Sequence, residues 1–424
     1  MREMKDSGVA WLGSIPSHWR IQRVKHAFYR KNEKAEQENP VVLSLARSGV
    51  HVRDISNNEG QVAESYYNYN PVEVDDLLIN PMDLYSGANC SISKVRGVIS
   101  PAYVNLRYKD GVNPRFYDYY FKVQYWMMAF FAHGKGVSFE NRWTLNAETL
   151  MNYPIVMLSY EEQYLRSSYL EQKCAKIDDV IARQQEAIEK LKAYKLSVIS
   201  EAVTKGLNPD TPMCDSGIEW LGCIPAHWEF RRTKSMAKIV DCKNRTPENK
   251  PDGEYTVVRT TCIKDGKFSY EGSFQTDEEN YIIWTERGAP MMGDVFFTRE
   301  APMGEACMVP DADNLCMGQR VMYFRPFDDV DGRFVLYSIY GPLVREYIES
   351  KSKGSTVGHL KLGQVADLPM LYCPYEEQQQ ICNYLDRECE KIDALIQKKQ
   401  TVIERLTEYK KSLIYEVVTG KREV

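Results

Sequence analysis

Two stretches of the chain space their apolar residues in alternating steps of four and three. The first lies within residues 160–204, which contain no glycine or proline. Its seam runs Leu170, Cys174, Ile177, Ile181, Gln184, Ile188, Leu191, Lys195, Val198. The second runs Leu385, Cys389, Ile392, Ile396, Lys399, Ile403, Leu406, Lys410, Leu413. This is the a/d pattern of a coiled coil over about four heptads, with Glu186, Glu189, Lys190 and Lys192 on the other faces. Each helix, about 34 residues at 1.5 Å rise, would be roughly 50 Å long. A lone amphipathic helix takes most of its stability from packing. Two copies in one chain can satisfy each other, and a pseudo-two-fold axis between the halves would make them antiparallel. The polar seam residues Gln184 and Lys399 either fix register at a cost in stability or sit where the seam opens to water.

Elsewhere the periodicity is mixed. Val41–Leu45 and Tyr255–Val258 predict short strands, and 75–80 and 293–298 predict a turn followed by a buried strand. Residues 114–132 and 331–350 predict helices rich in aromatics, with Phe116, Tyr120, Trp126 and Phe130 expected in a core. The fold class is α+β: two mixed α/β blocks held apart by two long antiparallel coiled-coil helices.

The order of elements repeats. Residues 4–25 and 213–234 are identical at thirteen of 22 positions, at an offset of 209. Tyr160-Glu161-Glu162-Gln163 recurs as Tyr375-Glu376-Glu377-Gln378, and the agreement continues through Lys176-Ile177-Asp178 and Lys391-Ile392-Asp393. Residues 26–152 and 235–367 share little beyond pattern. Plain drift after duplication would spread differences along the whole repeat. Their concentration in one block predicts a common frame carrying two different readers.

Composition bounds the function. In 424 residues no run of about 18 apolar positions exists, so a membrane span is not expected. The charged N-terminus lacks the apolar stretch of a secretory signal. Eleven scattered cysteines without a CxxC pair fit reduced thiols in the cytoplasm rather than disulfides or a zinc ribbon. A net charge of −5 alone disfavours nucleic-acid binding. Basic residues nevertheless cluster at Arg20–Lys34 and again at Arg231–Arg245, and phosphate responds to local fields. Each run is either a phosphate-facing surface or a solvated one; recurrence in both copies favours the first.

Candidate contacts follow from residue type and loop setting. Lys135, Ser138, Asn141 and Arg142 lie in one Gly/Ser/Lys-rich stretch before the first long helix. Lys353, Ser355, Thr356 and His359 lie in its counterpart before the second. Both suit phosphate approach or, equally, order the junction between block and helix. Arg47, Lys243, Arg245, Arg259, Arg299, Gln319 and Arg320 carry side chains able to reach DNA. His18 and His227 sit at equivalent repeat positions beside tryptophans and read as packed structural residues. No P-loop, HExxH, GxSxG, dinucleotide fingerprint or amino-methyltransferase motif occurs, so a non-catalytic chain without a metal is expected.

The block at 6–19 and 215–228, the run from Pro154 to Gln163, the heptad helices and the Gly354-Ser355-Thr356 stretch together resemble the specificity subunits of type I restriction–modification systems. The resemblance covers essentially the whole chain. It implies target recognition domains at 1–157 and 207–372 and spacer helices at 158–206 and 373–424. Each domain would read one half of a bipartite, asymmetric site in double-stranded DNA. The helix seams, centred on Ile177, Ile181, Gln184, Ile188 and Leu191 and on Ile392, Ile396, Lys399, Ile403 and Leu406, would set the gap. It also implies two methyltransferase subunits and restriction/translocase subunits as partners, which would carry S-adenosylmethionine, ATP and Mg. A different class remains open from the residues alone: a protein-binding adaptor that docks partners through its helices.

Overall fold

In a computed structural model, residues 3–55, 63, 65–82, 84, 89–136, 143–243, 245–352 and 358–424 are described. The chain divides into two compact units, residues 1–185 with 401–424, and residues 186–400.

In the first unit, β1 (Arg20–Arg23) pairs antiparallel with a strand at Pro154–Met157. The central sheet is built from β2 (Phe28–Lys31), β3 (Leu77–Ile79), β4 (Cys90–Ile92) and β5 (Val104–Tyr108), in the order β2-β5-β3-β4 and antiparallel throughout. Every residue of β3 is buried, as expected for its unbroken apolar run. Helix α1 (Pro114–Trp126) starts where the Asn113 side chain accepts from the Arg115 N–H, with Pro114 in the first turn. It lays Phe116, Tyr117, Tyr120 and Phe121 on the core, with Phe28 and Tyr117 meeting edge to face at 5.3 Å. Phe130 is buried too, but Trp126 is 42% exposed. Ten residues beyond Phe116 it has rotated off the apolar face, and the helix ends there. Strand β6 (Pro154–Met157) leads into α2 (Tyr160–Lys205).

In the second unit, β7 (Glu229–Arg232) pairs with a strand at Pro369–Tyr372. Its main sheet joins β8 (Ala237–Asp241), β11 (Val295–Thr298), β12 (Ala306–Met308) and β14 (Val321–Pro326), in the order β8-β14-β11-β12. A three-stranded sheet adds β9 (Tyr255–Val258), β10 (Phe274–Thr276) and β13 (Leu315–Met317), with β9 and β13 parallel; in the first unit a strand at Leu43–Ala46 pairs antiparallel with Gly49–Val52, and a parallel bridge joins Val42 to Val98. The helix expected over 331–350 is two, α3 (Gly332–Tyr340) and α4 (Pro342–Ser352). Pro342 lacks an N–H and opens a new helix rather than continuing the old one. Strand β15 (Pro369–Tyr372) leads into α5 (Tyr375–Val418).

The two main sheets thus have the same order, and each begins its buried strand from an interred carboxylate. Asp76, fully buried, receives Lys31 at 3.1 Å and Arg107 at 2.9 Å, and the Glu73 N–H at 2.8 Å. Asp294, 2% exposed, receives Arg325 through two nitrogens at 2.9 and 2.7 Å and the Met291 N–H at 3.0 Å. A buried carboxylate persists only when charge and hydrogen bonds both reach it.

The repeated sequence blocks form one lock in each unit. Glu162 accepts from the Trp19 indole at 3.0 Å and faces His18 at 2.9 Å. Glu377 accepts from the Trp228 indole at 3.2 Å and faces His227 at 2.8 Å. The next residue is a fully buried glutamine whose amide is completely used. Gln163 accepts from the Asn113 N–H at 2.7 Å and donates to the Gly111 and Leu158 carbonyls. Gln378 accepts from the Asp331 N–H at 2.9 Å and donates to the Asp329 and Cys373 carbonyls. Each block is therefore tied to the first turn of the helix that follows it.

Helix α2 has 46 residues and α5 has 44. In the first unit, Leu170, Cys174 and Ile177 share a core with Leu413, Ile414, Val417 and Val418. Lys410 donates to Asp178 at 2.6 Å, and Arg166 donates to the Val417 carbonyl at 2.8 Å, so these contacts run in opposite chain directions. In the second unit, Ile199, Ala202 and Val203 share a core with Ile381, Cys382, Leu385 and Cys389. There Lys195 donates to Asp393 at 2.8 Å. The two ion pairs occupy equivalent repeat positions, so one interaction is made twice.

Two predictions follow from these contacts. Truncating Gln378 to alanine takes the buried amide away from three backbone groups, the Asp331 N–H and the Asp329 and Cys373 carbonyls, and should lower stability by about 2 kcal/mol. Truncating the half-exposed His227 should cost well under half as much, as read from urea unfolding midpoints. Burial pushes the Asp393 carboxyl up, but hydrogen bonds and charge from Lys195 and Lys267 outweigh it and hold it below its ordinary value. A lowered native value stabilises the fold above the unfolded value near pH 4 and is lost as pH falls through the native one. Asp393→Asn should therefore cost about 1 kcal/mol at pH 7, and the difference from the parent should vanish in strong acid.

Candidate nucleic-acid interface

The loop ends of the second unit's sheets gather most of the described candidate side chains. Strands β8, β9, β11 and β13 all finish at one end, and β14 begins there. Lys243 and Arg245 follow β8, Arg259 follows β9, Arg299 follows β11, and Gln319 and Arg320 join β13 to β14. Their proximity is fixed by backbone bonds. The Gly318 N–H donates to the Val258 carbonyl at 2.8 Å, the Arg299 N–H to the Arg320 carbonyl at 3.1 Å, and the Leu360 N–H to the Arg299 carbonyl at 3.1 Å. His359 is thereby delivered to the same edge.

These side chains have unequal settings. Arg299 is only 7% exposed, and its guanidinium turns toward Asp241 at 3.5 Å and the Cys242 sulfur at 4.0 Å. Burial, with Asp241 adding to it, pushes the Cys242 thiol up, so the sulfur stays protonated and neutral. Arg299 braces the edge from inside. Lys243 meets Glu286 at 2.7 Å on the surface, and its hydrogen bond pulls that carboxyl below the ordinary range. Arg245 lies over the Trp284 ring at 5.0 Å, while the Trp284 indole donates to the Arg245 carbonyl at 3.1 Å. Arg259 is exposed and donates to the Gly272 carbonyl at 3.4 Å. Gln319 and Arg320 are exposed. Glu300 contacts Arg320 and, at 3.3 Å, His359. Sequence reading missed Glu300, because nothing local marks a carboxylate that closes on residues 20 and 59 positions away.

In the first unit the corresponding sheet end carries Asn80, whose N–H donates to the Asn89 carbonyl at 2.8 Å. Arg47 stands exposed in the turn between strands Leu43–Ala46 and Gly49–Val52, and the Asn89 side chain donates to the Ala46 carbonyl beside it. Lys135, also exposed, pairs through its backbone with Thr144 at 2.9 Å in both directions, and Leu145 bonds to the Pro81 carbonyl at 2.8 Å. Both candidates therefore belong to segments attached around the end of β3 and β4. Ser138, Asn141, Arg142, Lys353, Ser355 and Thr356 lie outside the described residues.

The basic runs are partly neutralised. Arg231 pairs with Asp329, and Arg232 and Lys234 both reach Asp367. Lys31 is drawn inside by Asp76. At the loop edge Lys243, Arg299 and Arg320 are likewise paired, with Glu286, Asp241 and Glu300. Among the described residues no group of three or more His, Cys, Asp or Glu is placed to hold a metal ion, and no helix is long and apolar enough to cross a membrane.

Comparison with known proteins places this architecture. Residues 225–405 match the model of the type I restriction modification DNA specificity domain. The matched segment holds the second unit's loop edge, its four- and three-stranded sheets and α5 as far as residue 405. That segment is thus similar to a type I restriction–modification DNA specificity domain. No curated protein matches the chain. Its fold is similar to a chain solved in work on complex assembly and conformational transition of the type I R-M system, with a TM-score of 0.68 and 15% identity over 96% of this chain and 99% of that one. The HsdS subunit from Thermoanaerobacter tengcongensis aligns at 14% identity over 96% of this chain and 98% of its own, with a TM-score of 0.45. The type I S subunit from M. genitalium aligns at 11% identity over 94% and 96%, with a TM-score of 0.37. The likeness of fold rests on the first of these.

Proposed function

We propose that the chain reads a bipartite, asymmetric DNA site, one half with each recognition domain (1–157 and 207–372). The observation that carries this reading is the pairing of one sheet order, repeated in both units, with different loop ends on each. A shared frame with unlike readers suits a site with unlike halves. In the second unit the side chains at that end are the exposed Arg245, Arg259, Gln319, Arg320 and His359 and the half-buried Lys243, with Arg299 as an internal brace. In the first they are Arg47 and Lys135; Ser138, Asn141, Arg142, Lys353, Ser355 and Thr356, outside the described residues, are proposed as DNA contacts from the sequence alone.

The spacer helices (158–206 and 373–424) pair antiparallel and set the gap between the half-sites, because half-site spacing mirrors the geometry of the protein. The Asp178–Lys410 and Lys195–Asp393 pairs support that register. The outer faces of the helices dock two methyltransferase subunits and, through them, restriction/translocase subunits in the cytoplasm. S-adenosylmethionine, ATP and Mg belong to those partners. This chain contributes recognition rather than chemistry.

The gap and the phosphate contacts are separately testable. Deleting four residues from each helix, centred on Gln184 and Lys399, should shorten the unread gap of the methylated site while leaving both half-sites unchanged; an unaltered gap would refute the ruler. Lys243→Ala and Arg245→Ala should each weaken binding evenly across sequences and reduce the slope of log affinity against log salt by about one. An unchanged slope would remove them from the interface.

A further inference from the structure

One carboxylate sits among the basic side chains of the second unit's loop edge. Glu300 follows Arg299, keeps only 16% of its side chain exposed, and meets residues from two other loops: Arg320 through Nε, and His359 through Nδ1 at 3.3 Å. Arg320 is held at its backbone as well. Its N–H donates to the Cys242 sulfur at 3.3 Å, and its carbonyl accepts from the Arg299 N–H at 3.1 Å. Its φ of +76° lies in the left-handed region, where a residue with a side chain stays only if its surroundings over-determine it. Backbone and guanidinium are both fixed, yet 45% of the side chain faces solvent.

Building on the recognition reading above, we propose that Arg320 reads a guanine in the half-site taken by the second unit, with Glu300 as its positioning residue. A guanidinium has five N–H donors in a rigid fork, and the contact to Glu300 is made through Nε. The two-nitrogen end of the fork matches the O6 and N7 acceptors of guanine in the major groove. Holding the fork in place beforehand reduces the ordering that binding would otherwise demand.

Charge separates this role from a phosphate contact. Glu300 neutralises Arg320 and is shielded from water, so a phosphate brought to the same place would meet a fixed negative charge. A base edge offers two acceptors and no net charge. Lys243 differs, because its partner Glu286 is 71% exposed, and an exposed pair of that kind yields readily to a competing anion.

The test is the methylated motif. The chain is co-expressed with its methyltransferase partners in a host without adenine methylation, and methylated adenines are mapped across the genome. The parent should require G·C at one position of the second unit's half-site. Arg320→Ala should raise methylation at sites lacking that guanine roughly tenfold to a hundredfold relative to the parent, with all other positions unchanged. Arg320→Lys keeps the charge and loses the fork, and should relax the same position. Glu300→Ala should relax it more weakly, while Glu300→Gln, whose amide oxygen still accepts from Nε, should retain it. The retained half-site of the first unit shows that each variant is folded. An unchanged requirement in Arg320→Ala, an even loss of methylation at an unchanged motif, or parental behaviour of Arg320→Lys would each overturn the assignment. A parent that directs no sequence-specific methylation would overturn the recognition reading, and this assignment with it.

Discussion

The structure depends on a carboxylate at the first turn of each long helix. Glu162 and Glu377 each accept from the indole N–H of a tryptophan in the repeated block (4–25 and 213–234), which opens on a short antiparallel hairpin, and stand against the neighbouring histidine. The glutamine that follows each of them occupies three backbone groups of the block with one buried amide. A charged acceptor beside a fully satisfied amide makes a rigid joint, since loss of either leaves buried polar groups without partners. Whatever a recognition block reads is thereby referred to the axis of its helix. The helix ends use the same hairpin. Gly420, at φ +74°, closes on Pro16 and Trp19, and Gly206, at φ +72°, closes on Trp228. The left-handed backbone favours glycine at both, and at Gly420 the approach of Pro16 also leaves no room for a Cβ.

From that joint outward the two units part company in a graded way. The buried carboxylate before β3 and β11 and the sheet order beyond it are common to both. Differences appear at the loop ends, where the parallel pairing is a full strand pair in the second unit and a single Val42–Val98 bridge beside the hairpin carrying Arg47 in the first. The sheet interior is closed by apolar packing and by charges that find partners inside, so it tolerates little change. The loop ends face water and owe the core only their backbone bonds. Specificity can differ there without disturbing what holds the block to its helix.

Much of this was legible in the chain because it is periodic or repeated. Along the heptad seam Ile177, Ile188 and Ile392 are buried, and Ile181, Gln184, Lys399 and Ile403 are half-buried. The repeated Glu-Glu-Gln and His-Trp strings announce a joint, although pairing one with the other needs contacts across more than 140 residues. What was not legible depends on such distances. The basic run at 231–234 looks free in sequence but meets Asp329 and Asp367, about a hundred residues on. Arg299 looks like a surface reader and turns inward because Asp241 and Cys242 close over it. The net charge of −5 likewise concealed a local edge of lysine, arginine and histidine.

The central claim is that one frame carries two interchangeable readers. It is tested most directly by replacing residues 26–152 with residues 235–367, so that both frames carry the second block, and mapping the methylated site. The account predicts a site of two identical, inverted half-sites with the parental gap. A folded chimera that still directs methylation to the parental asymmetric site would contradict it.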